Sequence, residues 1–218
     1  MDQTVSRLIQ EKKIPDTIVV AIWNAGQHRF SEYFPEKFLP TVSESFRREY
    51  LASHLRGKPQ SDNYLQFIVQ ELKPYIDAHF ATRPDRQHTF IAGSSMGAVI
   101  SVYALSEYPE VFGGAAGLSI AWIGQETPNF ELPLAAFNYL QRHLAPPAGH
   151  RLYMDHGTTE MDQWYEPYQA FVDEIVRGKG YTAANWQSRR IEGAGHNEST
   201  WSARLDSVLE FLMAPDAQ

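Results

Sequence analysis

Short apolar runs alternate along this chain with amphipathic segments, which is the pattern of a parallel sheet whose strands are joined by helices. Continuous apolar runs are typical of strands buried on both faces, and they predict five strands, near residues 17–23, 89–93, 112–119, 151–155 and 187–191. Helical spacing of apolar residues predicts helices at 2–13, 42–54, 62–80, 96–107, 163–177 and 199–213. The pattern therefore favours one α/β domain over residues 1–218, with a mostly parallel sheet flanked by helices on both faces.

Two features interrupt this regular pattern. Pro74 lies inside the predicted helix 62–80 and should kink or divide it, because proline removes a helical hydrogen bond. Residues 120–148 contain four prolines and several aromatic residues without clear periodicity. This stretch is predicted to be irregular and to cover a binding cleft.

Composition narrows the class of function. The chain has 218 residues, 43% of them apolar, and a formal net charge of −7. Its basic residues form only doublets, so no nucleic-acid-binding patch is expected. It has no cysteine, which excludes disulfides and thiolate chemistry. No apolar run reaches the roughly 20 residues needed to cross a bilayer, and the N-terminus does not resemble a signal peptide. These features predict a cytoplasmic protein without membrane segments.

The most specific motif is Gly93-Ser94-Ser95-Met96-Gly97, a G-x-S-x-G pentapeptide. It follows a predicted strand and opens a predicted helix, the context in which this motif presents a nucleophilic serine. Gly93 and Gly97 are expected to let neighbouring backbones approach without a Cβ clash. Ser95 is then the predicted nucleophile, and the backbone N–H of Met96 is the predicted donor to an oxyanion.

A serine hydroxyl needs a base, and His196 is the best-placed of eight histidines. It lies in the small-residue loop Gly193-Ala194-Gly195-His196, between the last predicted strand and the last predicted helix. A hydrolase with the chain order Ser, acid, His has its base at this point. His156 is the second candidate, because it also follows a strand.

The acid is expected after the preceding strand, in the segment 155–162. Glu160 and Asp162 both fit, and the residues alone do not choose between them. Asp162 could also serve as the N-cap of the next helix, and Glu160 could be solvated. Asp155 ends the strand and is expected either to point away from the site or to support the loop.

Taken together, the motifs resemble the esterase D / enterochelin esterase family of α/β hydrolases. The matching stretches lie at 14–20, Arg29 with 32–35, 93–97, 157–158 with Asp162, 165–168, and 195–198 with Trp201. The resemblance implies an α/β-hydrolase fold and a serine-dependent activity on esters. Formylglutathione-hydrolase-like members place their acid at the position of Glu160. Enterochelin-esterase-like members carry G-T-x-x-L-D, which matches more positions here and favours Asp162.

The chain departs from the family at its N-terminus. Family members begin with several strands and a loop similar to H-D-G-Q-N, which supplies a second oxyanion N–H, and nothing here matches that loop. The chain is thus N-terminally short relative to the family, and the Trp23-Asn24 turn is the candidate substitute. Strand 17–23 would then have one unpaired side, and unpaired strand edges recruit partners. This predicts a homodimer or a poorly behaved monomer.

These observations predict a serine carboxylic-ester hydrolase that acts through an acyl-enzyme. Its expected substrates are small-molecule esters with short or aromatic acyl groups. No metal or organic cofactor is expected. Candidate pocket residues are Trp23, Asn24, Tyr33, Trp122 and Trp201. Two alternatives keep the same fold: an acyltransferase that passes the acyl group to a sugar or alcohol, and a catalytically impaired α/β-hydrolase-fold protein.

Overall fold

The centre of the fold is a parallel sheet, seen in a computed structural model that describes residues 1–213. Its strands are Phe90–Ser94 (β1), Gly114–Leu118 (β2), Arg151–His156 (β3) and Trp186–Arg190 (β4), in the order β1-β2-β3-β4. All three neighbouring pairs are parallel. The last four predicted strands are confirmed to within two residues at each end.

Helices connect and cover the strands. They occupy Asp2–Gln10 (α1), Arg29–Tyr33 (α2), Glu44–Ser53 (α3), Ser61–Phe67 (α4), Lys73–His79 (α5), Met96–Glu107 (α6), Glu131–His143 (α7), Glu166–Gly178 (α8), Glu198–Ser202 (α9) and Leu205–Met213 (α10). None of the helices in residues 1–213 combines the length and the apolar content that crossing a bilayer would require.

Side chains alternate between the two faces of the sheet, as strand geometry requires. Ala115 and Leu152 point into the larger apolar core, which is built with α6, α7 and α8. Their neighbours Ala116 and Tyr153 point to the other face, where they pack with Val208 of α10. Both faces are therefore covered by helices, which explains why these strands read as continuous apolar runs.

The predicted strand at 17–23 is wrong. This segment lies outside the four-stranded sheet, and Ile18, Val19 and Val20 are 48%, 45% and 41% exposed. β-branched residues favour extended backbone, but a strand also needs a neighbour that accepts and donates its backbone hydrogen bonds. The first strand of the observed sheet is β1, so β1 and not residues 17–23 forms the sheet edge.

The irregular stretch predicted at 120–148 contains a helix, α7. Its residues Leu132, Ala135, Ala136, Tyr139 and Leu140 are buried at helical spacing. Pro133 stands in the first turn, where the N–H groups have no partner within the helix and proline is tolerated. The other three prolines lie outside the helix, so the proline count concealed a regular element.

The predicted interruption near Pro74 takes the form of a π-turn. Residues Ile68–Leu72 form a π-helical segment between α4 and α5, and Pro74 follows within the first two positions of α5. A wider turn before the proline accommodates its ring and its missing N–H without ending the helix. The helical path from 61 to 79 is thus continuous.

Candidate active site

Ser95 lies in a sharp turn between β1 and α6. It follows Ser94, the last residue of β1, and precedes Met96, the first residue of α6. Its backbone has φ 58° and ψ −126°, a conformation that residues other than glycine adopt rarely and at an energetic cost. The strained turn holds the hydroxyl at the carboxyl edge of the sheet, in the manner that the pentapeptide predicts.

The two glycines of the pentapeptide differ in the space available for a side chain. A Cβ on Gly93 would lie 2.3 Å from the carbonyl oxygen of Gly97, closer than two atoms can approach. A Cβ on Gly97 would meet nothing closer than the Tyr33 ring at 4.0 Å. The expectation that both glycines prevent a backbone clash therefore holds for Gly93 alone.

Three side chains from three separate loops form one hydrogen-bonded chain. The Ser95 Oγ lies 2.8 Å from the His196 Nε2, and the His196 Nδ1 lies 2.6 Å from the Asp162 Oδ1. Each loop follows the carboxyl end of a strand, where open α/β sheets place their sites. A carboxylate that orients an imidazole, which in turn contacts a hydroxyl, is the arrangement that activates a serine.

The loop that carries Asp162 packs closely on the loop that carries His196. The backbone N–H of Thr158 donates to the Ala194 carbonyl at 2.9 Å. Gly157 lies in the same contact, and a Cβ there would be 2.1 Å from the Ala194 oxygen. Only glycine permits this approach, so the close fit of the two loops depends on the residue at 157.

Asp162 is fully buried, yet it is held in its charged form. Burial alone would raise the pKa of Asp162, but hydrogen bonds from His196, Ser119 and the backbone N–H of Gly157 outweigh burial and keep the pKa below its usual value. The Ser119 and Gly157 bonds both end on Oδ2, each at 2.5 Å. The other oxygen, Oδ1, faces the imidazole of His196.

The carboxylate of Glu160, the other candidate acid, contacts the backbone of the loop that carries His196. Its Oε2 accepts the N–H of His196 at 2.6 Å, and its carboxylate also receives the Asn197 side-chain amide at 3.2 and 3.3 Å. Glu160 has a positive φ of 55°. The structure thus places Asp162 at the ring and Glu160 at the main chain of His196.

The backbone N–H of Met96, the predicted oxyanion donor, lies at the start of a helix. Met96 is the first residue of α6, and the first N–H groups of a helix have no partner within it. The Trp23-Asn24 turn is differently placed. Trp23 is 93% exposed, and the Asn24 carboxamide oxygen accepts the N–H of Gly26 at 2.9 Å. Within residues 1–213, neither side chain hydrogen-bonds to Ser95.

The other aromatic candidates occupy different positions. Tyr33 lies beside Gly97, next to the turn that carries Ser95. Trp201 presents its ring edge-on to His196, with ring centroids 5.1 Å apart. Trp122 is buried in the core, where its Nε1 donates to Gln169 at 2.9 Å. Tyr33 and Trp201 are thus brought to the site, whereas Trp122 is enclosed by the core.

Three residues near the site were not singled out from the sequence. Ser119 and Arg204 form a buried network behind Asp162, and the buried Tyr165 ring stands edge-on to His196 at 5.8 Å. Tyr165 belongs to a stretch that carries the family resemblance, so its place near the site had a signal. Ser119 and Arg204 had none, because their role depends on contacts across 85 residues of chain.

The remaining titratable residues near the site have other partners. The His156 Nδ1 bonds to the Gly157 carbonyl at 2.8 Å, so it is not the base at Ser95. Asp155 pairs with Arg204 at 2.8 Å, and it accepts the backbone N–H of Ser119 in the loop after β2, a different loop from the one that follows its own strand. In the described part of the chain, no cluster of three or more His, Asp or Glu side chains is arranged to hold a metal ion.

Comparison with known proteins supports the fold and the class of protein. The family model Esterase, described as "Putative esterase", matches residues 1–212. The uncharacterized protein YbbA of Bacillus subtilis (strain 168) is 21% identical over 209 residues, which cover 93% of this chain and 76% of that protein.

Two solved structures share the architecture. The enterobactin esterase FES of Shigella flexneri superimposes with a TM-score of 0.66 at 18% identity, covering 95% of this chain. A ferulic acid esterase gives a TM-score of 0.64 at 18% identity, covering 99% of this chain and 76% of its own. The chain spans only 47% of the Shigella protein. At these identities the likeness establishes a shared fold.

Proposed function

This chain belongs to the Esterase family, and on that premise we propose that it is a serine carboxylic-ester hydrolase that acts through an acyl-enzyme. Family membership supports hydrolysis of esters as the class of reaction. The observation that carries the finer proposal is the unbroken hydrogen-bonded chain from Ser95 through His196 to Asp162. The strained turn at Ser95 supports the same assignment.

In the first half of the reaction, the His196 Nε2 takes the proton of the Ser95 hydroxyl while Oγ attacks the ester carbonyl carbon. The carbonyl oxygen becomes negatively charged, and the Met96 N–H at the start of α6 donates to it. The C–O bond to the alcohol then breaks. His196 gives its proton to the departing alkoxide, which leaves an acyl group on Ser95.

In the second half, His196 takes a proton from water, and the resulting hydroxide attacks the acyl carbon. The bond to the Ser95 Oγ breaks, and His196 returns the proton to Oγ. The products are the carboxylic acid and the free enzyme. Each step uses only groups of this chain and water.

Asp162 is our proposed orienting acid. Its Oδ1 faces Nδ1 of His196, so Nδ1 carries the proton and Nε2 offers a lone pair to Ser95. Glu160 holds the backbone of the same loop and would act by positioning it. Tyr165 and Trp201 flank the imidazole edge-on, which supports a fixed ring orientation.

We propose small-molecule esters with short or aromatic acyl groups as substrates. The relatives of similar fold include a ferulic acid esterase and an enterobactin esterase. In this chain, the Tyr33 ring lies beside Gly97, two residues from Ser95, and the Trp201 ring lies edge-on to His196. Aromatic walls favour flat or small acyl groups over long flexible ones.

Turnover of a graded ester panel tests both the reaction and the substrate class. The panel contains p-nitrophenyl esters of increasing acyl length and methyl ferulate, with Ser95→Ala as the matched variant. We expect hydrolysis of the short or aromatic members, and its loss in Ser95→Ala. A clear preference for acyl chains beyond about eight carbons would contradict the proposed substrate class of short or aromatic acyl esters. Turnover that persists in Ser95→Ala would contradict the nucleophile.

The acyltransferase alternative is tested in the same assay by adding sugar and alcohol acceptors. Hydrolysis requires that the yield of free acid is unaffected by acceptors. If an acylated acceptor accumulates as acceptor is added and the yield of free acid falls, the protein is an acyltransferase and not a hydrolase.

A further inference from the structure

Ser119 occupies an unusual backbone position directly behind the proposed triad. It follows β2, is fully buried, and has a positive φ of 47°. Within residues 1–213, the residues other than glycine with positive φ are Lys12, Arg56, Ser95, Ser119 and Glu160. Three of these five lie at the candidate site. Glycine would fit the backbone of Ser119 at lower cost, so the serine side chain itself calls for an explanation.

The hydrogen bonds of Ser119 fix the direction of its hydroxyl proton. Its Oγ lies 2.8 Å from the Trp201 Nε1, 2.8 Å from the Arg204 Nη2 and 2.5 Å from the Asp162 Oδ2. An indole N–H and a guanidinium N–H can only donate, and a hydroxyl accepts two bonds and donates one. The oxygen is therefore saturated as an acceptor, and its one proton is directed at the Asp162 carboxylate.

Arg204 is itself held in place by a second buried carboxylate. Its Nε and Nη2 bond to the two oxygens of Asp155 at 2.8 and 2.9 Å, a bidentate geometry that fixes the plane of the guanidinium. Asp155 also accepts the backbone N–H of Ser119 at 2.8 Å. The backbone and the side chain of Ser119 are thus both tied to the Asp155–Arg204 pair.

We propose that Ser119 is a positioning residue for the triad acid, which it holds by a directed hydrogen bond so that only Oδ1 of Asp162 is offered to His196. The proposal rests on the proposed function, because it assigns Asp162 to the triad. Ser119 does not contact Ser95 or the imidazole by a hydrogen bond. Its effect on the reaction passes through Asp162.

The bond has a consequence that can be measured on His196. A donor on Oδ2 disperses part of the negative charge of Asp162, which weakens the hydrogen bond that Oδ1 accepts from the Nδ1–H of His196. Without the Ser119 hydroxyl, the charge on Oδ1 would be larger, so this hydrogen bond would be stronger and the NMR signal of the Nδ1 proton would move downfield. The other ionisable groups around this pair are Glu160 and Tyr165 on the acid loop, and the Asp155–Arg204 pair behind Ser119.

The test is an NMR measurement of the His196 Nδ1 proton in the free protein at a fixed pH, with the signal assigned by its loss in His196→Asn. In Ser119→Ala we expect this signal to move downfield, because the Asp162 carboxylate that accepts the proton is less compensated. We also expect kcat to fall about tenfold with little change in KM. Ser31→Ala is the matched control, because Ser31 is a buried serine that donates only to the Leu55 carbonyl, at 2.8 Å.

A second variant protects the test against misfolding. Ser119→Gly also removes the hydroxyl, and it relieves the positive φ, so it retains the fold if Ser119→Ala does not. A downfield shift of the Nδ1 proton signal in either folded variant, with Ser31→Ala unchanged, supports the proposal. A signal that stays at the position of the unsubstituted protein, or moves upfield, in the folded variants would overturn it.

Failure of this proposal differs from failure of the proposed function. If the unsubstituted protein hydrolyses no ester and Ser95 is not nucleophilic, the esterase proposal fails, yet the Nδ1 proton signal of His196 still reports on Ser119. If hydrolysis depends on Ser95 while that signal stays fixed in both Ser119 variants, the esterase stands and the positioning role falls.

Discussion

Glu160 and His196 meet through the main chain: the Glu160 carboxylate accepts the His196 backbone N–H at 2.6 Å, while the imidazole bonds to Asp162. Two carboxylates two residues apart therefore act on different parts of one histidine. One is placed to fix the loop, and the other is placed to fix the ring and its proton. Substitutions of Glu160 and of Asp162 should therefore have different effects, although the sequence alone does not distinguish the two carboxylates.

Asp162→Asn should damage catalysis far more than Glu160→Gln. An asparagine at 162 can donate to Nδ1 and so favours the wrong tautomer of His196, which lowers kcat by about 10³–10⁴ in enzymes with this triad. A glutamine at 160 can still accept the His196 N–H, so we expect a loss below about tenfold. Steady-state kinetics on one short ester measure both. The reverse order would assign the triad acid to Glu160.

Acid should destabilise the protein partly through Asp162. Its pKa is lowered in the folded state, so its ionisation contributes stability above the unfolded pKa of about 3.9, and that contribution is lost as pH falls through the lower folded value. We expect the stability difference between the unsubstituted protein and Asp162→Asn to shrink below about pH 4. Urea unfolding at a series of pH values measures it. A difference that stays constant or grows towards acid would refute the assignment.

The two glycines of the pentapeptide should respond differently to alanine. Gly93→Ala would force a Cβ against the Gly97 carbonyl, and we expect a loss of about 2 kcal/mol or more in unfolding free energy. Gly97→Ala has room beside Tyr33, and alanine favours the helix, so stability should change by less than about 1 kcal/mol. Thermal and urea unfolding of the pair check this. Equal losses of unfolding free energy in the two variants would contradict the close approach of Gly93 to the Gly97 carbonyl.

The open edge of β1 predicts self-association. Thr89 accepts from Gly113 and Ser95 donates to Leu118, so the odd-numbered residues of this strand face β2. The backbone groups of Phe90, Ala92 and Ser94 therefore point away from the sheet, because successive residues in a strand alternate. Such an edge can pair with another chain.

We expect a homodimer by light scattering coupled to size-exclusion chromatography. Ala92 is the exposed residue in the middle of β1. Ala92→Lys should weaken the dimer, because a lysine on an edge strand opposes pairing with another chain, whereas Phe171→Lys, at an exposed site on α8, should not. A monomer at all concentrations would contradict the prediction.

Much of the site could be predicted because its signals are local. The pentapeptide around Ser95 lies at a strand-to-helix junction, and the small-residue loop around His196 follows a strand, so chain order alone brought them to one sheet edge. The preference for Asp162 over Glu160 as the triad acid came from a family sequence pattern. The roles of Glu160 and Ser119 could not be predicted, because they depend on which backbone groups another loop presents.

The errors in the fold have the same origin. Residues 17–23 have the composition of a strand, but strand formation depends on a neighbour that composition cannot reveal. Helix α7 has apolar residues at helical spacing, but the four prolines in 120–148 led to the prediction of an irregular segment. The helix forms because Pro133 lies in its first turn, where proline is tolerated.

The central claim is that Ser95 is a nucleophile activated by His196, and covalent labelling tests it most directly. The protein is incubated with a fluorophosphonate probe, digested and mapped by mass spectrometry, beside His196→Asn and a known serine esterase. We predict one adduct, on Ser95, that forms far more slowly in His196→Asn because the base is lost. An unmodified Ser95, under conditions that label the known esterase, would contradict the account.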